Sequence, residues 1–249
     1  MVSLTGRNVV VIGGSRGVGR KIAEAAVAGG ARVLVVARQK EPLQRLAREV
    51  SGIQILSLDA TDVDAPAKVF EAVLPDILVL CGGSFPPTAP LYKQTWQEFS
   101  ANWEADVKIA FNFFKAALSR PLPVGTSVIL VSSGAALAGS PLTGGYAGAK
   151  RTQLFMANYS QKESDRLELG LRFLAIAPRI ILDTELGKRA IAGYSNYLGI
   201  TEADFIRSMA APPNSSDAAS AVIALATNPE RFKENVFVVS GKGLEAVSL

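Results

Sequence analysis

Three observations predict an α/β fold built on a doubly wound, mainly parallel sheet. Short β-branched runs alternate with helical segments along the whole chain. The runs, such as VVVI and VILV, are continuously apolar, as expected of parallel strands covered on both faces. A glycine cluster lies between the first run and the first helix, where open α/β sheets bind their ligands. At 249 residues the chain is long enough for one such domain over 1–249, with about seven strands and helices on both faces.

The elements follow in order. NVVVIGG (8–14) is the first strand and residues 17–29 the first helix. ARVLVVAR (31–38) is the second strand, and EPLQRLAREV (41–50) the second helix, with Pro42 placed in its first turn. IQILSLDA (53–60) and APAKVFEAVL (65–74) form the next pair, and DILVLCGG (76–83) the fourth strand. Residues 95–118 read as one long helix, SVILVSS (127–133) as the fifth strand, and 144–164 as the helix after it. LGLRFLAIAP (169–178), SSDAASAVIALAT (215–227) and NVFVVSG (235–241) complete the alternation. PLPVG, SFPPTAP and AAPPNSS read as loops. Residues 184–213 break the pattern with short helical pieces after the sixth strand, and are expected to form a lid over the substrate.

Composition removes several chemistries. The chain has no histidine and a single cysteine, Cys81. Histidine triads, histidine metal sites, cysteine zinc clusters and intrachain disulfides are thereby excluded, and no metal site is expected. A proton must move through Tyr, Lys, Ser or a carboxylate. The +4 formal charge is scattered, with no basic stripe interleaved with aromatics, so nucleic acid is not expected. With no signal-like or membrane-spanning segment read in the sequence, a soluble cytoplasmic protein without membrane contact is expected.

Gly13, Gly14, Ser15, Arg16, Gly17, Val18 and Gly19 link the first strand to the first helix. Glycines there let backbone N–H groups approach a pyrophosphate at a helix N-terminus. An NAD site normally carries an acid at the end of the second strand, to accept from the ribose 2′-hydroxyl. This chain has Ala37 followed by Arg38, and Arg16 is a second candidate cation for a 2′-phosphate. NADP(H) is therefore the expected cofactor. Asp59, ending the third strand, is placed to accept from the adenine amino group.

The spacing of Ser133, Tyr146 and Lys150 carries the catalytic expectation. Tyr146 and Lys150 are four apart, so a helix puts both on one face. A free tyrosine has a pKa of about 10, and a neighbouring ammonium favours its phenolate, which suits acid/base work. Ser133, thirteen residues before Tyr146 at a strand end, can reach the same point.

Together these residues resemble the short-chain dehydrogenase/reductase family over essentially the whole chain. The family's TGxxxGxG aligns with 12–19, with Ile12 for Thr, and its YxxxK with 146–150. The resemblance implies a Rossmann-type sheet and a tyrosine acid/base. It also implies a serine polarising the carbonyl, and a lysine that binds the nicotinamide ribose and assists the tyrosine. It extends the expected cofactor contacts to Tyr146 and Lys150, Ala60, Cys81 and Gly82, Pro178, Ile181 and Thr184.

Three positions depart from the family pattern. NNAG is Leu80-Cys81-Gly82-Gly83. The catalytic asparagine, whose backbone carbonyl holds a water leading to the lysine, falls on Asp106, and the glycine after it is Ile109. An Asp106 carboxylate near Lys150 is expected to form an ion pair and retune the tyrosine. The PG motif after the sixth strand is Pro178-Arg179, which puts a cation near the nicotinamide and substrate. The expected activity is NADP(H)-dependent interconversion of a small hydrophobic carbonyl and a secondary alcohol, in a homodimer or homotetramer. The alternatives are a 3-oxoacyl-carrier-protein reductase, or a protein that binds NADP(H) for regulation with weak or no turnover.

Overall fold

The computed structural model describes residues 3–120 and 122–248. Pro121, which opens the expected PLPVG loop, lies outside them, as do the two N-terminal residues and the last one. The strands are β1 (Asn8–Ile12), β2 (Arg32–Ala37), β3 (Ile53–Ser57), β4 (Ile77–Leu80), β5 (Ser127–Val131), β6 (Arg172–Pro178), β7 (Val236–Ser240) and β8 (Gly243–Ala246). They form one sheet in the order β3-β2-β1-β4-β5-β6-β7-β8. Every pairing is parallel except β7 with β8.

The continuous apolar runs divide their side chains between two cores. Val10, Ile12, Leu34, Val36, Leu78 and Leu80 face one side, against α3 (Ala65–Ala72), α5 (Lys108–Ser119) and α7 (Gly144–Arg166) through Val69, Phe113 and Leu154. Their neighbours Val9, Val11, Val33, Val35, Ile77 and Val79 face the other. There they meet α1 (Gly17–Ala28), α2 (Lys40–Glu49) and α10 (Ser215–Thr227) through Ile22, Leu43 and Val222. Each fully buried aliphatic side chain is worth about 1.5–3 kcal/mol, so a polar residue on either face of these strands would be destabilising. This two-sided demand explains why the strands do not alternate in polarity.

Three details differ from the sequence reading. The helix expected over 95–118 is α4 (Trp96–Asn102), a π-helical turn (Trp103–Val107) and α5. A short helix, α6 (Ala135–Ala138), follows β5. β8 returns antiparallel to β7 through Gly241 and Lys242, and most of its residues are exposed, so it lacked the apolar run that marks the others. Residues 184–213 contain α8 (Glu185–Leu198), capped by Thr184, and α9 (Glu202–Ser208), capped by Thr201.

Helix α4 crosses the start of α7 closely. A Cβ on Gly145 would overlap the carbonyl oxygen of Phe99, whereas one on Gly148 would first meet Trp103 at 3.8 Å. Gly145→Ala should therefore lose about 2 kcal/mol or more through overpacking. Gly148→Ala should be neutral or gain up to about 1 kcal/mol from helix propensity. Urea unfolding of the two variants checks this. Equal stabilities would show that α4 does not rest on Gly145.

Candidate active site

The C-terminal ends of the parallel strands open into one cleft of about 870 Å³. β1 lies between β2 and β4, so chain connections diverge beside it and leave a crevice, where open α/β sheets take ligands. Gly13, Ser15, Arg16, Gly17 and Val18 line the cleft, and Gly19 does not. Gly19 is buried beneath the Gly13 carbonyl, where a Cβ would collide with that oxygen. Gly13 has φ +80°, and a Cβ there would lie 2.6 Å from backbone atoms of Gly82. The loop therefore sits directly against the end of β4, where a side chain at Gly13 would not fit.

Ala37, Arg38, Asp59 and Ala60 also line the cleft. Arg38 Nη1 lies 3.8 Å from Asp59 Oδ2, and its side chain is 63% exposed. Asp59 Oδ1 accepts from the N–H and hydroxyl of Thr61, at 2.9 and 2.8 Å. Burial opposes the net lowering of the Asp59 carboxyl, which the Thr61 bonds and the Arg38 charge produce. Arg16, expected with Arg38 as a cation for a 2′-phosphate, also lines the cleft and stacks over the Phe85 ring at 5.0 Å. Arg189 of α8 stacks on the same ring at 4.1 Å.

Cys81, Gly82, Pro178, Ile181 and Thr184 line the middle of the cleft with Asp106, Ser133, Tyr146 and Lys150. The Thr184 hydroxyl donates to the Ile181 carbonyl and accepts from the Gly187 N–H. Arg179, expected beside substrate, lines the cleft and also donates to the Ala210 carbonyl at 3.1 Å, tying the end of β6 to the loop after α9. Leu186, Ala190, Tyr194, Phe205 and Met209 bring the helical insert to the cleft wall. Tyr194 bonds Ser140 at 2.5 Å and stacks on Phe205 with centroids 5.5 Å apart.

Tyr146 and Lys150 both lie on α7 and are buried. Lys150 Nζ is 5.5 Å from the Tyr146 ring centroid and 3.4 Å from the Val131 carbonyl. Ser133, after β5, lines the same cleft, and its hydroxyl acts to lower the Tyr146 phenol. Lys150 Nζ also meets Asp106 Oδ2 at 3.0 Å, with side-chain exposures of only 7% and 2%. The Asp106 backbone carbonyl accepts from Gln153 Nε2 at 2.8 Å. Asp106 thus faces Lys150 through its side chain, while α7 satisfies its main chain.

Sequence reasoning did not single out Ser84, Asn102 or Gln153. The Ser84 N–H and Asn102 Nδ2 both donate to Asp106 Oδ1, at 3.0 and 3.2 Å. Asn102 precedes Asp106 by four and Gln153 follows Lys150 by three, so helical spacing alone put each on the relevant face.

A family model described as short chain dehydrogenase matches residues 7–194. The chain belongs to that family. It is 32% identical over 175 residues to the short chain dehydrogenase/reductase AacuD of Aspergillus aculeatus, covering 66% of this chain and 62% of that one. It is 32% identical over 195 residues to a 3-dehydrosphinganine reductase of Arabidopsis thaliana, covering 74% and 59%. It is 29% identical over 124 residues to L-xylulose reductase of Bos taurus, covering 48% and 51%. The chain thus spans roughly half to three fifths of the length of these curated relatives. A solved short chain dehydrogenase/reductase family protein superposes with a TM-score of 0.77 at 20% identity, over 96% of this chain and 98% of that one. That likeness establishes the Rossmann-type fold.

Among the described residues no helix is long and apolar enough to cross a membrane, and no cluster of three metal-ligating side chains occurs.

Cys81 retains some exposure along the cleft, but the packing around its sulfur dominates its chemistry. Burial pushes the thiol up to about 11, against the lowering effect of Lys150. Only the thiolate reacts, so at pH 8 Cys81 should alkylate about a hundredfold more slowly than a free cysteine thiol. Mass spectrometry after timed iodoacetamide treatment measures the rate. Labelling as fast as glutathione would show that the thiol is not held in its neutral form.

Proposed function

We propose that this protein is an NADP(H)-dependent oxidoreductase interconverting a carbonyl and a secondary alcohol. The observation that carries this reading is that Ser133, Tyr146 and Lys150 converge in the cleft opened by the glycine loop. The described residues suit the cofactor. The Gly13 loop leaves a cradle that a Cβ would fill, and Arg38 supplies an exposed guanidinium beside the second strand. Gly13, Ser15, Gly17 and Val18 would hold the pyrophosphate, with Arg38 on the 2′-phosphate. Ala60, Cys81, Gly82, Pro178, Ile181 and Thr184 would wall the remainder. When bound, the nicotinamide supplies or accepts the hydride.

The chain's own residues then manage binding and the proton. Ser133 donates a hydrogen bond to the substrate oxygen and orients the Tyr146 phenol. Tyr146 gives its proton to that oxygen as negative charge develops, or removes a proton from an alcohol in the reverse direction. Lys150 stabilises the phenolate and contacts the ribose. The helical insert at 184–213 acts as a lid, and its apolar wall favours a hydrophobic substrate. The names of the relatives, a 3-dehydrosphinganine reductase and an L-xylulose reductase among them, agree with carbonyl reduction. The same reading carries a cytoplasmic homodimer or homotetramer, supported by the exposed aromatics Phe111 on α5 and Phe155 and Tyr159 on α7.

Tyr146→Phe should lose at least about 99% of turnover and keep NADPH affinity within about twofold, because only the proton-carrying hydroxyl is removed. NADPH oxidation against a panel of aldehydes and ketones, beside a fluorescence binding titration, measures both. Activity retained above a few per cent would put the acid elsewhere, while tight NADPH binding by an inactive wild type would favour the regulatory alternative.

The second expectation concerns the cofactor. NADPH should bind at least about tenfold more tightly than NADH, a difference of about 1.4 kcal/mol and within reach of one charge-assisted contact. Arg38→Asp should reverse the order. Equal dissociation constants in the wild type would contradict the assignment.

A further inference from the structure

We propose that the Asp106 carboxylate, by holding Lys150 Nζ at 3.0 Å, is a positioning residue that sets the acidity of the Tyr146 hydroxyl. This rests on the reading of Tyr146 as the acid/base. The carboxylate is built into its place. Lys150 Nζ, the Ser84 N–H and Asn102 Nδ2 converge on its two oxygens, and Asp106 is 2% exposed. A Cβ on Gly83 would lie 2.7 Å from the carboxyl carbon and from both oxygens, so the glycine at the end of β4 makes room for this group. The altered LCGG segment and the aspartate at position 106 are thus parts of one arrangement.

An ammonium by itself favours the phenolate of a neighbouring tyrosine. With a carboxylate 3.0 Å from that ammonium, the pair presents opposed charges and its net field at the phenol is reduced. The other groups facing Tyr146 add no compensating cation. Cys81, from the end of β4, is a neutral thiol held near 11, and Ser133, after β5, contributes only a hydrogen bond. Burial raises the Tyr146 phenol, Lys150 and Ser133 pull it down, and Asp106 pushes it back up, so the phenol stays above its ordinary value. Lys150 is itself raised: burial opposes its charge, and Asp106 and Tyr146 together offset that.

The consequence is a pH dependence. In reduction, hydride adds to the carbonyl carbon, the C=O pair moves to oxygen, and that oxygen takes the proton from the Tyr146 hydroxyl, leaving a phenolate that solvent reprotonates. The competent form is the phenol, which is fully populated at neutral pH when its pKa is high. Oxidation requires the phenolate, so its rate should climb into the alkaline range.

The test reads the tyrosine directly, so it does not depend on finding the substrate. Protein labelled with 13C at tyrosine Cζ is titrated by NMR, with Tyr146→Phe identifying the signal. The midpoint in Asp106→Asn should fall by about one unit or more, while NADPH affinity is retained. With any alcohol found active in the panel, the alkaline rise of the oxidation kcat should begin about one pH unit lower in the variant. Asp106→Ser serves if the asparagine variant does not fold. A midpoint unchanged or raised in the folded uncharged variant would overturn the proposal. A lowered midpoint without turnover on any carbonyl would uphold the role of Asp106 and refute the enzymatic reading instead.

Discussion

The cleft depends on a charge pair that water barely reaches. Lys150 comes from α7 and Asp106 from the π-helical turn, and their contacts extend to the loop after β4 through Ser84 and to β5 through the Val131 carbonyl. Four elements meet at two side chains. Removing one partner of a buried pair typically costs about 3–5 kcal/mol, because the other charge is left uncompensated. The local geometry around Tyr146 is therefore tied to the integrity of this pair. The π-helical turn contributes as well: it carries Asp106 to α7, where Gln153 takes up its main-chain carbonyl.

The second constraint is the sheet. Strands covered on both faces have no freedom to carry polar side chains along their length, so function is confined to their ends. Gly13, Cys81, Ser133 and Pro178 follow or end β1, β4, β5 and β6, and all line the same cleft. Parallel pairing brings these ends to one edge. α7 then presents a tyrosine and a lysine one turn apart on its buried face.

Much of this was legible in the sequence because it rests on local pattern. Apolar runs marked seven of the strands, and the glycine cluster marked the turn into α1. The four-residue spacing of Tyr146 and Lys150 marked their shared face, and the departure at Asp106 correctly pointed to an ion pair with Lys150. What escaped lacked such a pattern. β8 is short and mostly exposed, and held by a tight turn rather than by burial. The π-helical turn has the composition of ordinary helix. The partners of Arg16 and Arg179 could not be read either, since a guanidinium on a long stem goes where its partners are. Arg16 found the Phe85 ring and Arg179 the Ala210 carbonyl, both contacts between segments far apart in sequence.

The account stands or falls on whether Lys150 is a paired ammonium in the folded protein. Heteronuclear NMR of 15N-lysine-labelled protein, with Lys150→Arg identifying the signal, reads the charge state of that nitrogen against pH. The account predicts an ammonium that persists beyond the ordinary lysine value, since Asp106 and Tyr146 together raise it against burial. A Lys150 signal that titrates below about 10, as a buried and unpaired lysine would, contradicts it.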